Sequence, residues 1–290
     1  MTSPELSVAV TGLGSALPAG AADDEWFDYR SRLGRRGYKY LPRAAQYLLA
    51  STKDALADAS VELGEGNGED FGVAVGTNES VRHLHAGMDS TIRDENAEAL
   101  SPATAPYFSV NLIASRLGTE HGLRGFNVSV TTPHTAGVEA LALGARSLSL
   151  GRAERVIVGA VESPVASFGG ADDGSVSLVT EAADTTRPRY GTVRAASRFV
   201  PDVADDPDSL RRWCHETLSR WTTADDVPIH LVAPNANAGQ WAAFTEVGHG
   251  CLTAAALIRR NLMSGPTESA VLVVSPYGNL SLAYIQRSDD

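Results

Sequence analysis

Residues 126–163 read FNVSVTTPHTAGVEALALGARSLSLGRAERVIVGAVES, and the order of elements along this stretch decides the class of fold. Phe126–Thr132 is a short run of apolar and β-branched residues, which predicts a strand. Pro133 follows, at a position where the first turn of a helix tolerates proline. Pro133–Gly151 is alanine-rich and apolar nearly all round, whereas a helix on the surface would keep a polar stripe; it predicts a helix buried on every side. Arg155–Ser163 is almost wholly apolar, as expected of a strand in the middle of a parallel or mixed sheet. Strand, buried helix and strand in succession make a β/α unit.

The same alternation extends in both directions. Leu6–Gly14 (LSVAVTGLG) predicts a buried strand running into a tight glycine loop. Ala44–Ala59 places Leu48, Leu49 and Leu56 at helical spacing behind Pro42, and Phe71–Thr77 (FGVAVGT) predicts a second strand. After a polar stretch, Pro102 and Pro106 precede a helix expected to close near Gly118, and SVSLVTE, beyond the stretch quoted first, gives a further strand. The second half repeats the theme: GTVRAASRF as strand, DSLRRWCHETLSRW as helix, IHLVAPN as strand, GHGCLTAAALIRRNLMSG as helix, then AVLVVSPYG and LSLAYIQR as strands. Pro201–Asp208 reads as a surface loop. The chain is expected to be one compact α/β unit made of two similar halves, residues 1–185 and 186–290, with an internal duplication.

The net charge of −11 argues against a sequence-independent nucleic-acid binder, which needs a basic face for phosphates. The one dense basic run, Arg32, Arg35, Arg36, Lys39 and Arg43, suits an acidic carrier protein or a phosphate-bearing cofactor; a solvated face is its other reading. No apolar run reaches the ~18 residues of a membrane span, and the first residues lack the pattern of a signal peptide, so a cytoplasmic protein away from membranes is expected. Cys214 and Cys251 are too few for a disulfide framework and lack metal-ligand spacing. His83, His85, His121, His215 and His230 form no metal constellation, and His83 and His85 alternate as on a solvent-facing strand or loop. No metal or cofactor is expected. Thr11–Gly14 (TGLG) is a fragment of a dinucleotide fingerprint without its third glycine or acidic residue.

Taken together, VAVTGLGSALPAG, FGVAVGT, the stretch 127–163, GHGCLTAAALI and SPYGNLSLAYIQR resemble the β-ketoacyl synthase (ketosynthase) family of the thiolase-like superfamily along essentially the whole chain. The resemblance implies a thiolase-like fold in which two β/α halves stack as α-β-α-β-α layers. It also implies a shortened member, cut back before the first helix, after Glu162 and between Asn237 and His249, where family members build much of the acyl tunnel and its cover. At the nucleophile elbow, Thr131–Gly137 reads TTPHTAG, so that His134 stands in place of the family's cysteine. Of the two catalytic histidines, the first is replaced by Pro234 or Asn235, the second is retained as His249, and the lysine five residues before it is Phe244.

A condensing enzyme needs a thiol to carry the acyl chain and donors for the enolate, so the resemblance with these departures implies a protein that does not condense. The catalytic candidates are His134, His249 and Asn235; Thr132, Thr135, Asn237, Phe244, Tyr277 and Gly278 are candidates for substrate contact. Asn235 and Asn237 can donate amide hydrogens to a thioester carbonyl, or serve as ordinary turn residues. His134 reads either as a buried filler or as a base, kept neutral by the helix dipole; Cys251 reads as core.

Two functions remain open. The first is a partner subunit in the manner of chain-length factors, dimerising through NVSVTT as a homodimer or with an active ketosynthase, and binding an acyl chain or acyl carrier protein. The second is an enzyme acting through His134 and His249 on an acyl thioester of carrier protein or coenzyme A, by transfer, hydrolysis, decarboxylation, dehydration or isomerisation.

Overall fold

The computed structural model describes residues 6–19, 26–64, 66–103, 105–164, 172–184, 188–201, 206–233, 242, 244–248 and 250–288. Its strands are β1 (Ser7–Ala16), β2 (Phe71–Gly76), β3 (Asn127–Val130), β4 (Arg155–Glu162), β5 (Gly174–Ala182), β6 (Gly191–Phe199), β7 (Ile229–Ala233), β8 (Phe244–Val247), β9 (Glu268–Val274) and β10 (Asn279–Arg287). The helices are α1 (Tyr29–Arg32), α2 (Arg43–Asp58), α3 (Arg82–Asp94), α4 (Asn111–His121), α5 (Ala136–Ser149), α6 (Pro207–Leu218) and α7 (Leu252–Ser264). The strands form one ten-stranded sheet in the order β3-β2-β4-β5-β1-β6-β10-β9-β7-β8.

The order reads identically outward from its centre. In the first five strands β1 pairs antiparallel with β5, β5 antiparallel with β4, and β4 and β3 each run parallel to β2. In the last five, β6, β10, β9, β7 and β8 take the same roles in the same senses. The halves join where Ser7–Val10 of β1 pair with Gly191–Arg194 of β6. The expected boundary at 185/186 touches residues 185–187, which lie outside the described residues.

Strand alternation then sorts the side chains into layers. In β4, Val156, Val158 and Ala160 face a central core with α5 and α7, while Ile157 and Val161 face an outer core with α2 and α4. In β9, Val271 and Val273 join the central core, whereas Ala270, Leu272 and Val274 pack with Leu210, Trp213 and Cys214 of α6. The result is α2/α4, half-sheet, α5/α7, half-sheet, α6. As expected, β4 is central, between β2 and β5.

Four expectations need correction. The glycines of TGLG do not open a loop: β1 runs on to Ala16 through an irregularity between Val10 and Gly12, and a Cβ at Gly14 would lie 2.0 Å from the Ser51 carbonyl oxygen of α2. They are there so that a helix can lie directly on the strand. α4 closes at Gly122, whose φ of +67° suits glycine, rather than at Gly118, which lies inside the helix. His83 and His85 lie on a helix, α3, that the sequence reading did not find; His83 is exposed, and His85 Nε2 lies 3.0 Å from the Phe108 carbonyl. α5 is not buried all round: Leu143 is 38% exposed, Arg146 is exposed, and Leu150, just past the last residue of the helix, is 58% exposed.

The close approach of β1 to α2 makes Gly14→Ala a specific test. The new methyl meets backbone rather than a movable side chain, so overpacking should lower the unfolding free energy by about 2–3 kcal/mol. Urea unfolding should show a lower midpoint at an unchanged slope.

Candidate functional site

The turn between β3 and α5 holds the residues singled out by sequence. His134 has φ +65°, one of two described non-glycine residues with positive φ, a conformation that costs an L-residue about 1–2 kcal/mol. Hydrogen bonds hold it there. The His134 N–H donates to Asn78 Oδ1 at 3.1 Å, and Asn78 Nδ2 donates to the carbonyls of Thr131 and Thr132, each at 3.2 Å. On the helix side, the hydroxyls of Thr132 and Thr135 each donate to Glu139 at 2.7 Å. Glu139 lies in the first turn of α5, where a carboxylate also meets the positive end of the helix dipole.

Asn78 is itself anchored by Glu162, the last residue of β4 and fully buried. The Glu162 carboxylate accepts from the Asn78 N–H at 3.0 and 3.1 Å, from the Glu79 N–H, and from the Cys251 N–H at 3.0 Å. The Thr77 hydroxyl adds a longer contact of 3.4 Å. Cys251 immediately precedes α7, so one carboxylate ties the loop after β2, the elbow behind it and the start of the second half's central helix. Burial pushes the Glu162 pKa above its ordinary 4.5, against the opposing pull of these N–H donors. Burial and then the nearby Glu162 push the Cys251 thiol well up, and burial pushes Cys214 up to about 12.

The predicted site residues distribute as follows. His134 and Thr132 are partly buried at the elbow, and Thr135 is wholly buried with its hydroxyl on Glu139. Tyr277, 67% exposed, and Gly278, φ +91°, form the tight turn between β9 and β10. Asn279, next in sequence, shares with Thr132 a groove of about 460 Å³ lined also by Glu139, Leu143, Arg146 and Phe199. Asn235, Asn237, His249 and the Phe244 side chain lie outside the described residues; the Phe244 backbone opens β8 opposite His230. In the basic run, Arg32 is engaged with Asp54 at 2.6 Å, while Arg35, Arg36, Lys39 and Arg43 are exposed.

Sequence reasoning missed Asn78, Glu139 and Glu162. Two left a signal: Glu162 ends a strand with no other acid, and Glu139 is the one acid of a mostly apolar helix. Asn78 left none, since its role comes from contacts across more than fifty positions.

Residues 22–188, which carry the elbow and its supports, match the family model described as the β-ketoacyl synthase N-terminal domain. The chain belongs to the β-ketoacyl synthase family. The 3-oxoacyl-[acyl-carrier-protein] synthase 2 of Vibrio harveyi is 28% identical over 154 residues, which span 53% of this chain and 37% of that protein. The ishigamide ketosynthase/chain length factor superposes with a TM-score of 0.78 at 19% identity, covering 98% of this chain and 100% of that one. A type II polyketide synthase ketosynthase bound to the hexaketide, in complex with its acyl carrier protein, gives 0.74 at 14% identity, with coverages of 98% and 100%. At such identities the likeness is one of fold, and it is the thiolase-like ketosynthase fold that the layers above describe. Among the described residues, no helix is long and apolar enough to cross a membrane.

Two measurements test the site's electrostatics. Neither thiol should react with a disulfide reagent at pH 8 in the native protein, and both should on unfolding, because each is buried and held protonated. Glu162 binds its proton more tightly folded than unfolded, so its contribution to stability falls as pH rises above about 4.5. Glu162→Gln removes that dependence. Urea unfolding at pH 5 and 7.5 should show the variant gaining on the parent chain as pH rises.

Proposed function

We propose that this chain is a non-condensing ketosynthase-like subunit of polyketide or fatty-acid-type biosynthesis, which pairs with an active ketosynthase and binds an acyl chain or acyl carrier protein. The observation that carries this reading is the elbow. A histidine holds its left-handed position, and both cysteines are buried with raised thiol pKa values, so no thiolate is offered where an acyl chain would be loaded. The ishigamide ketosynthase/chain length factor has the same fold and is the precedent for such a division of labour.

Two surfaces support pairing. β3 lies at one end of the sheet order, and strand edges invite pairing with another chain. Beside it, Leu143 of α5 and Leu150 just past its end are exposed on either side of Arg146, and a partner chain can cover them. The exposed Arg35, Arg36, Lys39 and Arg43 give an acidic carrier protein a complementary face despite the overall negative charge.

The test incubates the purified chain with acyl and malonyl thioesters of carrier protein and coenzyme A, follows them by mass spectrometry, and repeats the assay with a ketosynthase encoded by the same host. The expected result is no acyl-enzyme and no turnover alone, a stable complex with the ketosynthase, and a change in its product length. Turnover by the chain alone that is lost in His134→Ala and His249→Ala would overturn the subunit reading in favour of an enzyme acting on thioesters.

A further inference from the structure

Away from the elbow, a cavity of about 480 Å³ lies between the start of α2 and α3, within the range of about 300–1,000 Å³ typical of small-molecule sites. Its lining is graded. Arg43 and His83 are exposed and stand at the rim; Leu84, Met88 and Leu100 are partly buried and form the walls. Ser80 and Ser163, 2% and 3% exposed, form the floor. Among the described residues, no acidic side chain lines it. Pro42 gives the first turn of α2 no side-chain cap, so the positive end of that helix also faces the rim.

The floor supplies a second, independent sign of a ligand. The Ser80 hydroxyl is buried and makes no hydrogen bond among the described residues. A buried hydroxyl left unpaired costs about 1–3 kcal/mol, and an oxygen of a bound molecule would satisfy it.

We propose that this cavity binds a medium-chain carboxylate whose far end carries a carbonyl or hydroxyl oxygen. The carboxylate sits at the rim between Arg43, His83 and the start of α2, the hydrocarbon runs along Leu84, Met88 and Leu100, and the distal oxygen accepts from Ser80. Arg43 also interacts with the Tyr47 hydroxyl, which steadies the guanidinium at the rim. The site does not rest on the reading of the chain as a partner subunit; it binds with or without a ketosynthase present.

Calorimetric titration with 7-oxooctanoate, octanoate and methyl octanoate tests each part. The oxo acid should bind tightest, octanoate about three- to tenfold more weakly for want of the hydrogen bond to Ser80, and the neutral ester at least about tenfold more weakly than octanoate for want of the charge. Ser80→Ala should bring the oxo acid to the level of octanoate and leave octanoate unchanged. Gly87→Leu is the control for folding: a Cβ there meets nothing within 4 Å, leucine favours a helix over glycine, and its side chain fills the cavity, so binding of all three should be lost in a chain at least as stable. Equal affinity for acid and ester, binding that survives Gly87→Leu, or no saturable binding of any probe would overturn the site.

Discussion

The Glu162 carboxylate is the constraint on which the centre of this molecule depends. Taking an ion out of water costs several kcal/mol even after relaxation, and among the described residues no cation beside Glu162 offsets the cost. Backbone N–H groups from two distant segments do so instead, those of Asn78 and Glu79 on one side and Cys251 on the other. Each donor would be stranded without an acceptor, because the first lie in a loop leaving a buried strand and the last at the start of a helix. One carboxylate therefore satisfies several groups that no secondary structure serves, and it works only if β4, the loop after β2 and α7 all stand where they do.

The elbow takes its shape from that arrangement. Asn78 is held through its backbone and spends its side chain on Thr131, Thr132 and His134, so the strained φ of His134 is supported from beneath by a residue that is itself fixed by Glu162. Glu139 fixes the other side by holding two threonine hydroxyls. A left-handed residue persists only where its surroundings over-determine it, and here two polar brackets do so. The Asn78 bracket acts on backbone groups of Thr131, Thr132 and His134 and so fixes the turn through the main chain.

Most of the fold was legible because most of its strands are apolar runs. β4, β7 and β9 are buried on both faces, and such runs bounded by glycine or turn residues can hardly be read otherwise. α3 escaped for the opposite reason: it buries no residue, its apolar row of Leu84, Met88 and Ile92 is thin and set among polar residues, and Gly87 interrupts it. β8 was hidden in a short stretch between segments that resembled shortened loops. The glycines of β1 were misread because a glycine that ends a strand and one that admits a helix look alike until the helix is in view. At the site, His134, Thr132 and Thr135 were found through the family resemblance, which puts them at the elbow, whereas Asn78 acts through contacts that no local pattern encodes.

The repeat of the strand order makes the differences between the halves informative. Between β2 and β3 the first half inserts α3 and α4, and between β4 and β5 it carries a connection from Ser163 to Asp173; the second half turns from β9 to β10 in the four residues Ser275–Gly278. Where the two halves agree, they supply the layers: α5 and α7 occupy equivalent places, and a Cβ at Gly137 of α5 would lie 2.9 Å from the Cys251 carbonyl oxygen at the start of α7. Where they differ, they supply cavities, since the groove beside the elbow meets the short turn and the cavity behind Ser80 is covered by the insertion. A duplicated scaffold has to be the same twice to pack on itself, so recognition falls to the parts that were free to diverge, and both concave features described here lie against those parts.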